Sequence, residues 1–130
     1  MSLDVPPALL AQAEQGDVSE ADFVATVRQS LPYAYKMISE LAARLQDASA
    51  PFVDNTVPPA SEAERGQLLR ALASDAIRGS LERQFGVRLA FQNCHRVAAF
   101  RPGAETSFAY GAFTSARGQL LNQSPLLRDC

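Results

Sequence analysis

The spacing of apolar residues changes at Gly86, and this change restricts the chain to folds that contain both helices and a sheet. Before Gly86, apolar side chains recur at helical intervals, as in residues 23–31. After it, apolar residues alternate with others, as in residues 87–91. We therefore predict an α+β fold, in which a helical layer of three to four helices, over about residues 5–85, packs on a small antiparallel sheet over about residues 87–113.

Capping signals divide the helical part into separate elements. Ser19 precedes Asp22 by three positions, and Ser61 precedes Glu64 in the same way. A serine followed three residues later by an acidic residue is typical of a helix N-terminus. Pro32 disfavours helical geometry at the residue before it, so the helix that starts at Ser19 ends or bends there.

A proline-rich segment, residues 48–60, interrupts the helical pattern and has no hydrophobic period of its own. It predicts an internal linker. The length of 130 residues fits a single domain over 1–130. At the other end of the chain, residues 108–113 predict a third strand of the sheet, although Gly111 weakens it.

Charge is divided unevenly along the chain. Residues 1–64 carry ten acidic and three basic residues, a net charge of −7, while residues 65–130 carry nine arginines and four acidic residues, a net charge of +5. Such asymmetry favours self-association or docking to a charged partner. The leading prediction is therefore a small interaction or regulatory protein, with a homodimer or a charged protein partner. The acidic half and the negative total charge argue against nucleic acid as a partner.

Cys94 and His95 form the one pair of adjacent residues that suits nucleophilic chemistry. A cationic neighbour can convert a thiol into a reactive thiolate. Adjacent strand residues point to opposite faces, so this pair converges only if it lies in a turn. The alternative function is a small enzyme that acts on an anionic metabolite or peptide through these two residues. One histidine and two cysteines are one ligand short of a structural zinc site, so no metal and no cofactor are predicted.

Arginine supplies eleven of the twelve basic residues. This bias reflects either GC-rich coding or a use of arginine forks to bind carboxylates and phosphates. Arg88, Arg96 and Arg101 are the candidate anion-binding residues, with Tyr110 as an aromatic neighbour. Arg88 and Arg96 could share one exposed sheet face. That surface gives a third hypothesis, weak binding of RNA or of another single strand, beside the alternative of a solvated face that pairs with the acidic half.

The sequence has no stretch near the ~20 apolar residues that span a bilayer, and its first residues lack the pattern of a signal peptide. We therefore expect a cytoplasmic protein without a membrane partner. One short repeat is present, because the pentapeptide Arg-Gly-Gln-Leu-Leu occurs at residues 65–69 and again at 117–121. It is either a coincidence or a pair of helix starts that use glycine for tight packing.

Overall fold

The computed structural model describes residues 3–92 and 95–122, which form seven α-helices and a three-stranded antiparallel sheet. The helices are α1 (Pro7–Glu14), α2 (Glu20–Ser30), α3 (Pro32–Asp47), α4 (Glu62–Ala73), α5 (Asp75–Phe85), α6 (Phe108–Thr114) and α7 (Ala116–Leu121). The strands are β1 (Phe52–Asp54), β2 (Arg88–Gln92) and β3 (Arg96–Phe100). A 3₁₀ turn, Ala104–Thr106, precedes α6. The predicted α+β fold is confirmed.

The sheet has the order β1-β3-β2, so β3 lies in the centre. Strands β2 and β3 form an antiparallel hairpin, in which Arg88 lies opposite Phe100 and Gln92 opposite Arg96. The predicted third strand is wrong, because residues 108–113 lie in α6. The third strand is β1, which comes from the segment predicted to be only a linker. It pairs with β3 through Phe52 opposite Phe100.

The larger hydrophobic core lies between one face of the sheet and helices α2–α5. The sheet contributes Leu89, Val97 and Ala99 to this core. Ile38 and Leu68 supply helical side chains with no exposed surface. Burial of these apolar groups supplies the main driving force for packing the helices on the sheet.

A second, smaller core covers the opposite face of the sheet. Phe100 is fully buried there, its ring centroid 4.9 Å from that of Phe52 and 5.8 Å from that of Phe113. Ala90 and Ala98 are small enough for α6 to approach the strands. Both faces of the sheet are therefore covered, whereas the sequence predicted helices on one face only.

Serine side chains begin most of the helices. The two predicted caps are present: the amide of Asp22 donates to Ser19 Oγ at 3.3 Å, and that of Glu64 donates to Ser61 Oγ at 3.2 Å. Ser74 caps α5 in the same way and separates it from α4. Residues 5–85 therefore contain five helices rather than three to four.

Ser107 explains why residues 108–113 are helical despite their strand-like composition. Its Oγ accepts a hydrogen bond from the amide of Tyr110 at 3.1 Å, which starts α6. The helix then places Phe113 on the second core. Among residues 3–92 and 95–122, no helix has the length and apolar character needed to cross a membrane.

Candidate functional site

Arg96 lies at the centre of a polar network rather than on an open anion-binding surface. Its Nε donates to Asp54 Oδ2 at 2.7 Å, and its Nη1 donates to Gln92 Oε1 at 3.1 Å and to Asn122 Oδ1 at 2.6 Å. The guanidinium also lies over the ring of Phe113, 5.0 Å from its centroid. These contacts join β1, β2, β3 and the end of α7, so groups of the same chain already bind the guanidinium of this partly buried side chain.

Arg88 is likewise held by carboxylates of the same chain. Its Nε lies 2.5 Å from Glu105 Oε1, and its Nη1 lies 3.5 Å from Glu82 Oε1. The second oxygen of Glu82 accepts a hydrogen bond from the amide of Leu89 at 2.8 Å. Two carboxylates therefore surround this arginine and oppose the approach of an anion.

Arg101 binds carbonyl groups at the C-terminal end of α3. Its Nη2 donates to the carbonyls of Leu45 and Ala48 at 3.0 and 2.6 Å, and its Nη1 donates to that of Ala50 at 2.7 Å. Carbonyl groups at a helix end lack partners within the helix, and a nearby positive charge favours them. The contacts of Arg101 therefore stabilise the end of α3.

The strand register explains why these arginines do not form one exposed patch. Arg88 lies opposite Phe100 and Arg96 lies opposite Gln92, so the two arginines share a sheet face but stand at its opposite ends. Four residues of strand separate them, about 13 Å. Helix α6 covers the space between them. Its Tyr110, the aromatic candidate, packs edge-on against Phe100 with ring centroids 5.1 Å apart.

His95 is half-buried beside the start of β3. Its carbonyl accepts a hydrogen bond from Asn55 Nδ2 at 2.5 Å. Its Nδ1 is buried and has no hydrogen-bond partner among the described residues. Cys94 lies outside the described residues, so the candidate pair of Cys94 and His95 stays a prediction.

Burial, and secondly the positive charge of Arg96, lower the pKa of His95 below its ordinary value of 6.5. At a pH between the lowered pKa of His95 in the folded protein and 6.5, the unfolded chain therefore binds more protons than the folded chain. We therefore expect the free energy of unfolding to decrease as the pH falls below 6.5 and through that interval. Urea unfolding between about pH 5.5 and 7, where carboxylates stay ionised, measures this dependence. His95→Gln should flatten it, and an unchanged slope in this variant would assign it to another group.

The arginines of α4 differ from those of the sheet. The guanidinium groups of Arg65 and Arg70 have no hydrogen-bond or ion-pair partner among the described residues. At about 100° per residue they lie about 140° apart around the helix. Between them, on the same outer face, lie Leu69, Ala73 and Gly66. Two available guanidinium groups therefore border a small, mostly apolar stripe.

This stripe forms a shallow groove, here named the α4 groove, of about 440 Å³. It is lined by Gly66, Leu69, Arg70, Ala73 and Ser74. Leu69 is 49% exposed, although it is a large apolar residue in a helix. A Cβ atom built at Gly66 would meet no other atom within 4 Å, so the floor of the groove is open. Sequence analysis missed this site because Arg65 and Arg70 occur singly in an ordinary amphipathic pattern.

A family model named KH_NucS_shadow, described as "NucS shadow ORF", matches residues 1–130 of the chain. The chain belongs to the NucS shadow ORF family. The description relates the family to NucS through a reading frame and states no activity, while the name of the model designates a KH-like module. No curated protein and no solved structure matches the chain.

The family corrects two predictions. The prediction of an interaction or regulatory protein, acting by self-association or through a charged protein partner, is wrong, because the KH-like family name points to nucleic acid. The family name also gives no support to the alternative function, a small enzyme that acts on an anionic metabolite or peptide. The expectation against nucleic acid as a partner is wrong for the same reason. It depended on total charge, which does not describe the charge of a local surface.

The NucS shadow ORF chain departs from KH modules in one respect. Those modules clamp the nucleic-acid backbone with a loop of sequence Gly-X-X-Gly. The seven glycines of this chain include no pair that is separated by two residues. The turn between α4 and α5 consists of Ser74 alone. The chain therefore has no Gly-X-X-Gly loop with which to clamp the phosphate backbone of a nucleic acid.

Proposed function

We propose that the chain binds nucleic acid through the outer face of α4, where Arg65 and Arg70 border the α4 groove. The observation that carries this proposal is that both guanidinium groups are without partners among the described residues, on either side of an open apolar stripe. Phosphate oxygens accept hydrogen bonds from arginine in a forked geometry, and such contacts supply most of the affinity for nucleic acid.

The family name and the order of elements support the proposal. Residues 52–114 have the order β-α-α-β-β-α around a three-stranded antiparallel sheet, with α7 added after them, and this order is compatible with the KH-like module named for the family. In this order the α4 groove adjoins the turn between the two consecutive helices. The open stripe beside the arginines leaves room for a ligand to lie against the helix.

Binding is assigned to α4 rather than to the sheet because a phosphate would have to compete with groups of the same chain for each sheet arginine. A phosphate at Arg96 would have to displace Asp54 and the two amide oxygens already bound there. A phosphate at Arg88 would meet two carboxylates. Arg65 and Arg70 require no such displacement. The binding surface is therefore assigned to the helix, and not to the arginine-rich strands that the sequence singled out.

Replacement of both Arg65 and Arg70 by glutamine is expected to weaken binding of a single-stranded oligonucleotide roughly ten-fold, because two phosphate contacts are lost. Fluorescence anisotropy with a labelled oligouridine, at several salt concentrations, measures the change. The dependence of log K on log salt should also become shallower, by roughly 0.7 for each lost contact. Circular dichroism verifies that the variant stays folded.

Arg117→Gln is the matched control, because Arg117 is also exposed and without a partner among the described residues but lies on α7. It should change the affinity by less than about two-fold, in line with a rim charge. An equal loss in the control and in the double variant would indicate general charge attraction. No detectable binding by the native chain would contradict the proposed function itself.

The family description refers to a reading frame, so production of the protein in cells is a separate measurement. Mass spectrometry should detect peptides of this chain, and cell fractionation should place them in the cytoplasm, as we propose from the sequence. We also propose that residues 1–130 act as a single domain, with one cooperative unfolding transition. Complete absence of these peptides from growing cells would remove the biological basis of the proposal.

A further inference from the structure

Three charged residues lie next to the one-residue turn between α4 and α5. Arg70 is in the last turn of α4, Asp75 is the first residue of α5, and Arg78 lies one turn further along. Arg78 Nη2 donates to Asp75 Oδ1 at 2.6 Å. Arg78 Nη1 donates to the carbonyl of Leu72 at 3.1 Å. That second bond holds the guanidinium at the C-terminal end of α4, at the residue that precedes Ala73 and Ser74 of the groove lining.

Asp75 is not required for the local fold. Its side chain is 91% exposed, and an ion pair at such a position contributes little to stability. The start of α5 is already capped, because Ser74 Oγ accepts a hydrogen bond from the amide of Ile77 at 3.3 Å. The clearest effect of the carboxylate is therefore on Arg78, whose side chain is 33% exposed and faces both the carboxylate and solvent.

A carboxylate and a phosphate compete for the same donors of an arginine. While Asp75 occupies Arg78, a phosphate in the α4 groove can use Arg70 but meets a negative charge at the next arginine. Removal of that charge would leave Arg78 held at Leu72 by one bond, and the donor that Asp75 occupied would become available to a phosphate. The turn would then present two arginines in place of one.

We propose that Asp75 is an internal competitor for Arg78 and that it lowers the affinity of the α4 groove for the phosphate backbone of nucleic acid. This inference rests on the proposed function. It assigns to the exposed carboxylate of Asp75 a role that opposes the binding of nucleic acid. The turn beside Asp75 has no Gly-X-X-Gly loop.

Asp75→Asn tests the inference, because asparagine keeps the size of the side chain and removes its charge. It should tighten binding of the labelled oligouridine by about two- to five-fold, the range that an exposed ion pair can withhold. The salt dependence should become steeper by roughly 0.7 in log K against log salt, as expected for one additional phosphate contact. Asp75→Asn combined with Arg78→Gln should lose both effects.

Asp17→Asn is the matched control, since Asp17 is an exposed residue of the loop before α2 and its replacement changes total charge equally. An equal gain in this control would overturn the inference in favour of a general charge effect. If the native chain and Asp75→Asn bind the oligonucleotide with the same affinity, the inference is also overturned, while the proposed function stands. Binding by Asp75→Asn alone would support the inference and contradict the proposed function of the native chain, and binding by neither would contradict both.

Discussion

Arg96→Ala is expected to lower the free energy of unfolding by about 3 kcal/mol, because it leaves Asp54 without its cation in a partly buried site. The side chains of Arg96 and Asp54 are 26% and 24% exposed, so water replaces the lost contacts only in part. Gln92 and Asn122 lose a donor at the same time. Urea unfolding followed by circular dichroism gives the change, with the midpoint and the slope analysed together.

Arg70→Ala is the control for this experiment, since Arg70 is exposed and without a partner among the described residues. Its effect should stay within about 0.5 kcal/mol. A double-mutant cycle of Arg96→Ala with Asp54→Ala should give a coupling of at least about 1 kcal/mol, as expected for residues in one network. A loss below about 1 kcal/mol for Arg96→Ala would show that this arginine is not a structural anchor, and it would return to consideration as an anion-binding residue.

The contrast between Arg96 and Arg70 shows what the sequence could not predict about the site. Arginines in strands next to aromatic residues suggested an anion-binding face, and those in α4 were not singled out. The partner of Arg96, Asp54, is 42 residues away in the chain. Competition between an internal carboxylate and an external phosphate depends on such distant contacts, so local spacing identifies arginines but not which of them are available.

The fold was predicted more completely than the site because its signals are local. Ser19 and Ser61 begin helices as their capping patterns predict, and the hairpin of β2 and β3 follows from alternation. Strand β1 was missed because its three residues are too few to show a period. Helix α6 was assigned as a strand because its apolar run is too short for periodicity to separate the two states.

The uneven charge of the two halves has a role within the chain, of the kind that the sequence offered as an alternative for the arginines. Acidic residues of the first half pair with arginines of the second: Glu20 with Arg83, which joins α2 to α5, and Asp54 with Arg96, which joins β1 to β3. These pairs hold together segments that are distant in the chain. An uneven charge distribution in a sequence can therefore be used for ion pairs within one molecule, and it does not by itself indicate a second molecule as a partner.

The repeated pentapeptide gives the last prediction, because its two glycines lie in different surroundings. A Cβ atom at Gly118 would stand 2.5 Å from the carbonyl oxygen of Ala112 and 3.2 Å from that of Phe113. Backbone atoms cannot move aside cheaply, so α7 must shift away from α6. Gly118→Ala is expected to destabilise the protein by about 2 kcal/mol, in the range of overpacked sites.

Gly66→Ala is the matched control, since a Cβ atom at Gly66 meets nothing within 4 Å. Alanine is favoured over glycine inside a helix, so this variant should be more stable by about 0.5–1 kcal/mol. Hydrogen exchange separates global unfolding from detachment of α7 alone, because the amide of Gln119 is bonded to the carbonyl of Ser115 at 3.0 Å and should lose protection in either case. Equal stability and equal protection in the two glycine variants would contradict close packing at Gly118.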